Sequence, residues 1–357
     1  MSGRLVAALV VLLLALGGAA LLLKQRDDSQ RPAGAAALGQ PVLKNLKAAD
    51  VAAIAIRDGS AALTLERKDG EWRIAERGGF PADTDKVRDL VLKAIELKVG
   101  QSEPIGEADR ARLKLDGSGG MLEFRGADGK PLARLAIGAK FFKREPENRE
   151  RAIGDGRFVQ VAEDAKTVIV VSDPLTLASG KSADWIQRTG FGAEKVKTME
   201  VALASGEKWK IARPGDNAGW KLSPLRAGEK LDVIRANSAS YSLNGMDLAD
   251  VAAPGLKPED TGMDKPDATI VALTFDGLTY TLRVGKLAGE NYYAKVAVTG
   301  TAKANGPDAA ERQKKLDERL PRERALAAHT LLIAKSKFDD ILKKRAELLE
   351  KRGPAKK

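Results

Sequence analysis

The sequence predicts an α+β protein: an N-terminal single transmembrane helix followed by two tandem repeats of a mainly antiparallel sheet with a packed helix. Three observations lead to this prediction. An uncharged apolar run opens the chain, segments of alternating apolar and polar residues follow with Asp-Gly turns between them, and a strand–turn–helix pattern occurs twice, at 70–98 and 218–244. A sheet with one apolar face needs a covering layer, so each repeat is interpreted as one α+β unit.

The apolar run extends from Leu5 to Leu23, which is 19 residues without a charge. As a helix it would span roughly 28 Å, close to the thickness of a bilayer core. Signal peptides have a shorter apolar region of about 7–15 residues, although the small residues at 17–20 leave cleavage as an alternative. We predict an uncleaved signal anchor over 1–23 in a bacterial inner membrane. Because a short N-terminal tail precedes a large soluble part, we expect that part in the periplasm.

Composition excludes several classes of protein. The 357 residues include no cysteine, which excludes disulfides, thiolate metal sites and a lipidated cysteine anchor. Aromatic residues make up only 4%, which argues against a stacking platform for nucleic-acid bases, and no nucleic-acid partner is predicted. The net charge of +11 is dispersed, which is typical of a soluble surface with some attraction to anionic headgroups. Residues 24–41 are rich in Ala, Gly and Pro and indicate a flexible stalk.

The first repeat unit is predicted over 42–190. Alternating apolar residues indicate three strands around Ile54, Leu63 and Trp72. A helix follows within 81–98, with its apolar residues at helical spacing on one face. After a polar loop come a hairpin around Asp128-Gly129, two further strands and a short closing helix. The residues predicted on the buried face of the helix are Val87, Leu90, Val91, Ala94 and Leu97.

The second repeat unit is predicted over 191–357 and has the same order of elements. Three strands precede a helix, and a hairpin around Asp276-Gly277 and another strand come after it. Trp72 precedes Gly138 by 66 residues, and Trp220 precedes Gly285 by 65, with each glycine ending an apolar strand. Aligning the two helices predicts a second buried face that consists of Leu231, Ile234, Ser238 and Tyr241.

The end of the second unit is predicted as a strand followed by a helix, within 330–351. Ser336 and Asp339 have the spacing of a capping box at the start of that helix. A charged insertion at about 302–328 has no counterpart in the first unit, and we predict a solvated helix broken at Pro321. Its role is not assigned.

No motif in the sequence predicts a catalytic, cofactor-binding or metal site. His329 is a single histidine, interpreted as structural. The segment 179–182, SGKS, resembles the end of a phosphate-binding loop, but Leu175 stands where the motif needs glycine. The segment 117–120, GSGG, lacks the strand–glycine–helix context. Two pairs of carboxylates are explained by helix capping and the helix dipole: Asp83 with Asp85 and Asp339 with Asp340. A third pair, Asp27 and Asp28, lies beside the anchor.

Two further features allow more than one interpretation. The stretch Lys140–Arg157 is a mixed-charge loop with a basic excess, either simply solvated or a docking surface for an acidic partner or lipid headgroups. Trp72 and Trp220 are interpreted as core anchors, with ligand stacking as the alternative.

Several of these segments together resemble a known bacterial family. The anchor precedes EWRI, PADTDKVRDLVLKAIELK, LAIG, VIVVSDPL and the closing LLIAKSKFDDILKKRAELL. This order is similar to that of the family called domain of unknown function 4340, over about 42–350. The resemblance implies a membrane-anchored envelope protein associated with ABC transport systems of the gliding-motility auxiliary type. It supplies no catalytic residue.

We therefore expect a non-enzymatic, single-pass, periplasm-facing accessory or scaffold protein without cofactor, whose partner is a membrane transport protein. One alternative is an envelope hydrolase that uses carboxylates in a cleft between the units. Another is a periplasmic small-molecule receptor, which needs an apolar pocket with a few converging polar groups.

Overall fold

The structure is a computed structural model that describes residues 17–18, 21–22, 37–306 and 308–350. The anchor predicted over 1–23 and the stalk predicted over 24–41 fall, apart from a few residues, outside this range. Among the described residues, no helix has the length and apolar character needed to cross a membrane. The α+β class is confirmed, because two antiparallel sheets and a few helices make up the described chain.

The first sheet has nine strands, in the order β4-β3-β2-β1-β6-β7-β8-β9-β5. They are β1 (Ala53–Asp58), β2 (Ala61–Lys68), β3 (Glu71–Ile74), β4 (Phe80–Pro81), β5 (Gln101–Pro104), β6 (Gly120–Arg125), β7 (Pro131–Phe141), β8 (Gly156–Val161) and β9 (Thr167–Val171). The three predicted opening strands and the hairpin around Asp128-Gly129 are confirmed as β1 to β3 and as β6 with β7. The alternation that predicted them matches their burial, with Ile54 and Ile56 buried on β1.

Two helices follow the opening strands of the first sheet. Helix α1 (Thr84–Glu96) begins after Asp83, whose carboxylate accepts a hydrogen bond from the backbone N–H of Lys86 at 3.3 Å. Its predicted apolar face is confirmed, because all five residues named for it are buried. Helix α2 (Glu107–Arg112) is short and ends against β7.

The second sheet has eight strands, in the order β12-β11-β10-β14-β15-β16-β17-β13. They are β10 (Val196–Leu203), β11 (Lys208–Ala212), β12 (Lys221–Ser223), β13 (Asp250–Val251), β14 (Ala268–Thr274), β15 (Thr279–Ala288), β16 (Asn291–Thr299) and β17 (Leu331–Ala334). Helix α3 (Val233–Tyr241) follows β12, and the short helix α4 (Pro258–Thr261) follows β13. The predicted hairpin around Asp276-Gly277 is confirmed as β14 with β15.

The two sheets have the same strand order once the two-residue strand β4 is set aside. Taking strands as they occur along the chain, β1, β2 and β3 correspond to β10, β11 and β12. The strands from β5 to β9 correspond in turn to those from β13 to β17. The helix before β5 in the first sheet and before β13 in the second recurs as α1 and α3. The short helix after each of these two strands recurs as α2 and α4.

Gly138 and Gly285 are equivalent in both their bulges and their contacts. The pairing of β7 with β8 shifts register just after Ile137, and that of β15 with β16 shifts just after Val284. A Cβ on Gly138 would lie 2.4 Å from the carbonyl oxygen of Leu113, at the end of α2. A Cβ on Gly285 would lie 2.2 Å from the carbonyl oxygen of Thr261, at the end of α4. Both positions need glycine because the backbone after a short helix approaches the bulged strand there.

The buried face predicted for the second helix is wrong in part. Leu231, which precedes α3, is buried, but Ile234 is 77% exposed and Tyr241 is 74% exposed. Ala236 and Ala239 form the buried face instead, both at 0%. The two faces differ by two positions, which is about 200° around a helix and therefore nearly its opposite side. The sequence offered two apolar faces, and the smaller alanines allow a closer approach to the neighbouring elements.

The helix predicted after β17 is also wrong, and so is its capping box. Short 3-10 turns occur at Lys335–Phe338 and Arg345–Leu348 in its place. The buried residues Phe338 and Ile341 do have helical spacing. However, the indole Nε1 of Trp209 donates to the carbonyl of Lys343 at 2.8 Å, so side-chain contacts compete for the backbone groups that a helix would pair.

The short helix predicted to close the first unit is reduced to a 3-10 turn at Ser182–Asp184. In the insertion, helix α5 (Ala309–Ala325) is confirmed, but it is not broken, since Pro321 lies inside it. Proline removes one backbone hydrogen bond. Leu316, Leu320 and Glu323 are buried along α5, and this packing offsets the loss.

Contacts divide the chain into two compact units. The first comprises the residues up to Ala62 together with Arg88–Gly180, and the second comprises Leu63–Val87 together with the residues from Lys181 onward. The predicted repeat boundaries, 42–190 and 191–357, were set by sequence recurrence rather than by contacts and stay a prediction.

Candidate functional site

Three exposed apolar side chains of the second unit lie on one side of helix α3. Val233 is 47% exposed, and Ile234 and Tyr241 are exposed by about three quarters. We call these three residues the α3 face. The helix begins after Asp232, whose carboxylate accepts hydrogen bonds from the N–H groups of Ile234 at 3.0 Å and Arg235 at 3.2 Å. The cap fixes the start of the helix and therefore the direction in which the α3 face points.

A groove of about 420 Å³ runs beside α3. Its lining includes Tyr241, Trp220 and Asn237. The Trp220 side chain is 6% exposed, and its indole Nε1 donates to the Asn237 carboxamide oxygen at 2.9 Å. This bond joins the helix to the segment before β12. The interpretation of Trp220 as a core anchor is confirmed, whereas Trp72 is only half-buried.

Arg213 closes one wall of the groove. Its guanidinium carbon lies 4.7 Å from the centre of the Trp220 ring, a cation–π distance. Its Nε donates to the carbonyl of Val196 and its Nη2 to the carboxylate of Asp216, each at 2.8 Å. These contacts hold the guanidinium in place, so the groove is rigid on this side. A preformed apolar surface with tyrosine, tryptophan and arginine has the composition of binding hot spots.

The second unit also contains a buried carboxylate. Glu323 on α5 is 2% exposed, and it accepts hydrogen bonds from the Tyr280 hydroxyl at 2.8 Å and the Gly192 N–H at 3.2 Å. Burial raises the pKa of Glu323, and its hydrogen bonds from Tyr280 and Gly192 and the charge of Arg319 act against that rise. Burial, together with the negative charge of Glu323, raises the pKa of Tyr280. The network fastens the charged insertion to β15, which gives the insertion a structural role.

An ion pair holds the start of helix α5. Arg312 donates from Nη2 to the carboxylate of Asp276 at 2.5 Å, in the turn between β14 and β15. Asp276 is 5% exposed. The insertion is therefore attached at both ends rather than merely solvated, which sequence reasoning missed because both acids look like ordinary surface charges.

His329 packs against an aromatic ring. Its imidazole meets Phe80 edge-to-face with ring centroids 5.0 Å apart. Burial lowers the pKa of His329, and the positive charges of Lys295 and Arg73 lower it further. Within the part of the chain that the structure describes, no cluster of three or more His, Cys, Asp or Glu side chains could hold a metal ion.

Ser182, the last residue of the SGKS segment, belongs to an ion-pair network in the second unit. Its hydroxyl donates to the carboxylate of Asp250 at 2.8 Å. The same carboxylate accepts from Nε of Arg77 at 3.2 Å and from Nη2 at 3.1 Å. This arrangement fixes the Ser182 end of the segment.

The structure places the other residues singled out from the sequence as follows. Asp83 caps α1, and Asp340 pairs with Lys343 at 2.9 Å. Asp27 and Asp28 lie outside the described residues. The GSGG turn and the stretch Lys140–Arg157, which are far apart in sequence, line the same cavity of the first unit.

Sequence reasoning placed Ile234 and Tyr241 in a core, so it missed the α3 face. The signal that could have found it is the second apolar face of the same helix, Ala236 and Ala239 with Leu243 after it, all at 0% exposure. Two competing apolar faces on one helix indicate that one of them is left for solvent or a partner.

Comparison with known proteins gives one family. The family model described as "Domain of unknown function (DUF4340)" matches residues 72–266, more than half of the chain. The matched range begins on β3 and ends just before β14, so it includes the helices of both repeats. No curated protein and no solved structure matches the chain.

Proposed function

The chain belongs to the DUF4340 family, and on this premise we propose that it is a non-enzymatic, membrane-anchored, periplasm-facing accessory or scaffold protein of an ABC-type transport complex. Its two sheets, which share one strand order apart from β4, derive in this proposal from duplication of one α+β unit. The apolar run from Leu5 to Leu23 supplies the anchor. A transport protein in the same membrane is the proposed partner.

The observation that carries the proposal is the α3 face. In helix α1, counted from the caps Asp83 and Asp232, the positions equivalent to Ile234 and Tyr241 are Asp85 and Leu92, and Leu92 is 43% exposed. Both helices bury the positions four and seven residues after the cap, which hold Val87 and Leu90 in α1 and Ala236 and Ala239 in α3. Helix α3 in addition leaves the three apolar side chains of the α3 face in solvent. Contiguous exposed apolar side chains beside a preformed groove are typical of a surface that binds another protein. We therefore assign partner binding to the α3 face.

Site-specific crosslinking in membranes tests this assignment. A photoreactive amino acid at Ile234 should give an adduct with an integral membrane transport protein. The matched control is Leu287 on β15, an apolar side chain of the same unit that is 46% exposed and lies outside the α3 face. It should give no such adduct.

Binding energy provides a second readout. Ile234→Glu should reduce recovery of the partner with the full chain about tenfold or more, because a hot-spot side chain contributes about 2 kcal/mol or more and a buried carboxylate adds a desolvation cost. Leu287→Glu should leave recovery unchanged. Equal adducts at the two positions would exclude the α3 face as the docking site, and a soluble envelope enzyme as the crosslinked partner would refute the transport link.

A further inference from the structure

An open cavity of about 550 Å³ lies at one end of the first sheet, within the first unit. Three strand ends and one bulge meet there: the end of β1 at Asp58, the start of β6 at Gly120, the bulge of β7 at Gly138 and the start of β8, where Arg157 is the second residue. The volume is in the range of sites for small ligands. Antiparallel pairing brings these ends together, so residues that are far apart in sequence form one wall.

The side chains around the cavity carry an excess of positive charge. Five basic residues and two acidic residues line it: Arg112, Lys114, Lys140, Arg149 and Arg157, with Asp58 and Glu150. Concave surfaces lined by one sign of charge focus the electrostatic field and raise the local concentration of the opposite ion. The cavity therefore favours an anion.

Three of the five cations already have partners. Arg112 pairs with Asp109 at 2.9 Å, and Arg149 pairs with Glu145 through Nη2 at 2.8 Å. The Lys140 ammonium donates to the carbonyls of residues 149, 150 and 152, at 3.3, 2.9 and 2.7 Å. These bonds tie the loop onto β7, so one wall of the cavity is preformed.

The other two cations are left without a comparable partner. Among the described residues, neither Lys114 nor Arg157 forms a salt bridge. The Nε of Arg157 is buried and donates to no described atom. Burial lowers the pKa of this guanidinium, and the charge of Asp58 acts in the opposite direction without closing an ion pair. An unpaired buried N–H on a charged group is costly, and an anion bound in the cavity beside the same guanidinium would offset that cost by electrostatic attraction.

We propose that this cavity is a binding site for an anionic phosphate group, held by Arg157 from the floor and Lys114 from the rim. A guanidinium suits this ligand because its fork of N–H donors matches two phosphate oxygens. The phosphate belongs either to a free solute or to a lipid headgroup. The site goes beyond the docking function and does not depend on the α3 face, which lies in the other unit.

Calorimetric titration of the purified full chain at 0.15 M salt tests the proposal. The probes are inorganic phosphate, glycerophosphoglycerol as a soluble anionic headgroup, and glycerophosphocholine as its net-neutral counterpart. We expect saturable binding of at least one anionic probe and none of glycerophosphocholine. Phosphate alone identifies a free solute as the source, and glycerophosphoglycerol identifies a headgroup.

Arg157→Gln should weaken that binding about tenfold or more, since it removes a charge-assisted hydrogen bond. The matched control is Arg144→Gln, which removes the same charge from an exposed position of the same loop that does not line the cavity. It should bind as the original chain does. Lys114→Gln should also weaken binding. Because it changes an exposed side chain, it provides the test if Arg157→Gln fails to fold. The proposal is overturned by no saturable binding of either anion, by unchanged binding in the cavity variants, or by equal weakening in Arg144→Gln.

Discussion

Replacing Tyr280 by phenylalanine tests the buried network that fastens helix α5. The change removes one hydroxyl and leaves the ring, so packing of the fully buried side chain is kept. The hydroxyl donates to Glu323 at 2.8 Å, and Glu323 is 2% exposed, so water cannot replace the lost donor. Hydrogen bonds to charged groups contribute about 1.5–3 kcal/mol. We expect Tyr280→Phe to lower the free energy of unfolding by about that amount when Glu323 is ionised.

The assay is urea unfolding of the full chain, followed by tryptophan fluorescence. The matched control is Tyr293→Phe, since Tyr293 on β16 is half-buried and donates no side-chain hydrogen bond to a described residue. It should change the free energy of unfolding by less than about 0.5 kcal/mol. In a Glu323→Gln background, Tyr280→Phe should cost only about 0.5–1.5 kcal/mol, because the acceptor is then neutral. A Tyr280→Phe cost no larger than that of the control would refute the charge-assisted bond.

Three further outcomes follow from the same contacts. Burial raises the pKa of Glu323 above 4.5, so the folded state binds a proton more tightly than the unfolded state does. The free energy of unfolding should therefore fall as pH rises from about 4.5 through the raised pKa. Urea titrations at successive pH values should show this slope in the original chain and not in Glu323→Gln. Hydrogen bonds from the Arg345 side chain and the Arg226 N–H lower the pKa of Glu229 from 4.5 to about 2. The stabilisation of the folded state by ionised Glu229 should therefore be complete above pH 4.5 and lost as pH falls towards 2. An NMR titration midpoint near 4.5 would contradict this. Gly285→Ala should lower the free energy of unfolding by about 1–3 kcal/mol, because its Cβ would lie 2.2 Å from the carbonyl oxygen of Thr261. The control Gly215→Ala, with open space around its Cβ, should change the free energy of unfolding by less than about 0.5 kcal/mol.

Long strands with regular alternation were the most predictable part of the fold. β7, β14 and β15 show this pattern together with Asp-Gly turns, and each was predicted. β5 was missed because its residues, Gln101–Pro104, are polar or exposed and it lies at a sheet edge, where no apolar face is required. The two-residue strand β13 has no periodic signal of its own.

The two proposed binding surfaces were less predictable because each depends on which side chains the fold leaves exposed or unpaired. The α3 face could not be assigned while two apolar faces competed on one helix. The cavity around Arg157 combines a glycine-rich turn and a basic loop, and the sequence gives no distance between them. Composition indicated a basic excess in the stretch Lys140–Arg157, but only the hydrogen bonds of Lys140 and Arg149 show which charges are already satisfied.

The division of the chain into units has a consequence for the order of folding during synthesis. Leu63–Val87 belongs by its contacts to the second unit, yet it is synthesised before most of the first. The ion pair of Arg77 with Asp250 joins residues 173 positions apart. The ring contact of Phe80 with His329 can form only after His329 has been synthesised. Domains generally fold as units, N-terminal first, and distant contacts slow that process. Strands β1 to β4 can pair early, because all of them lie within 53–81. We therefore expect only the contacts of this segment with Asp250 and His329 to form when translation is nearly complete, so a truncated product would leave Arg77 and Phe80 without these partners.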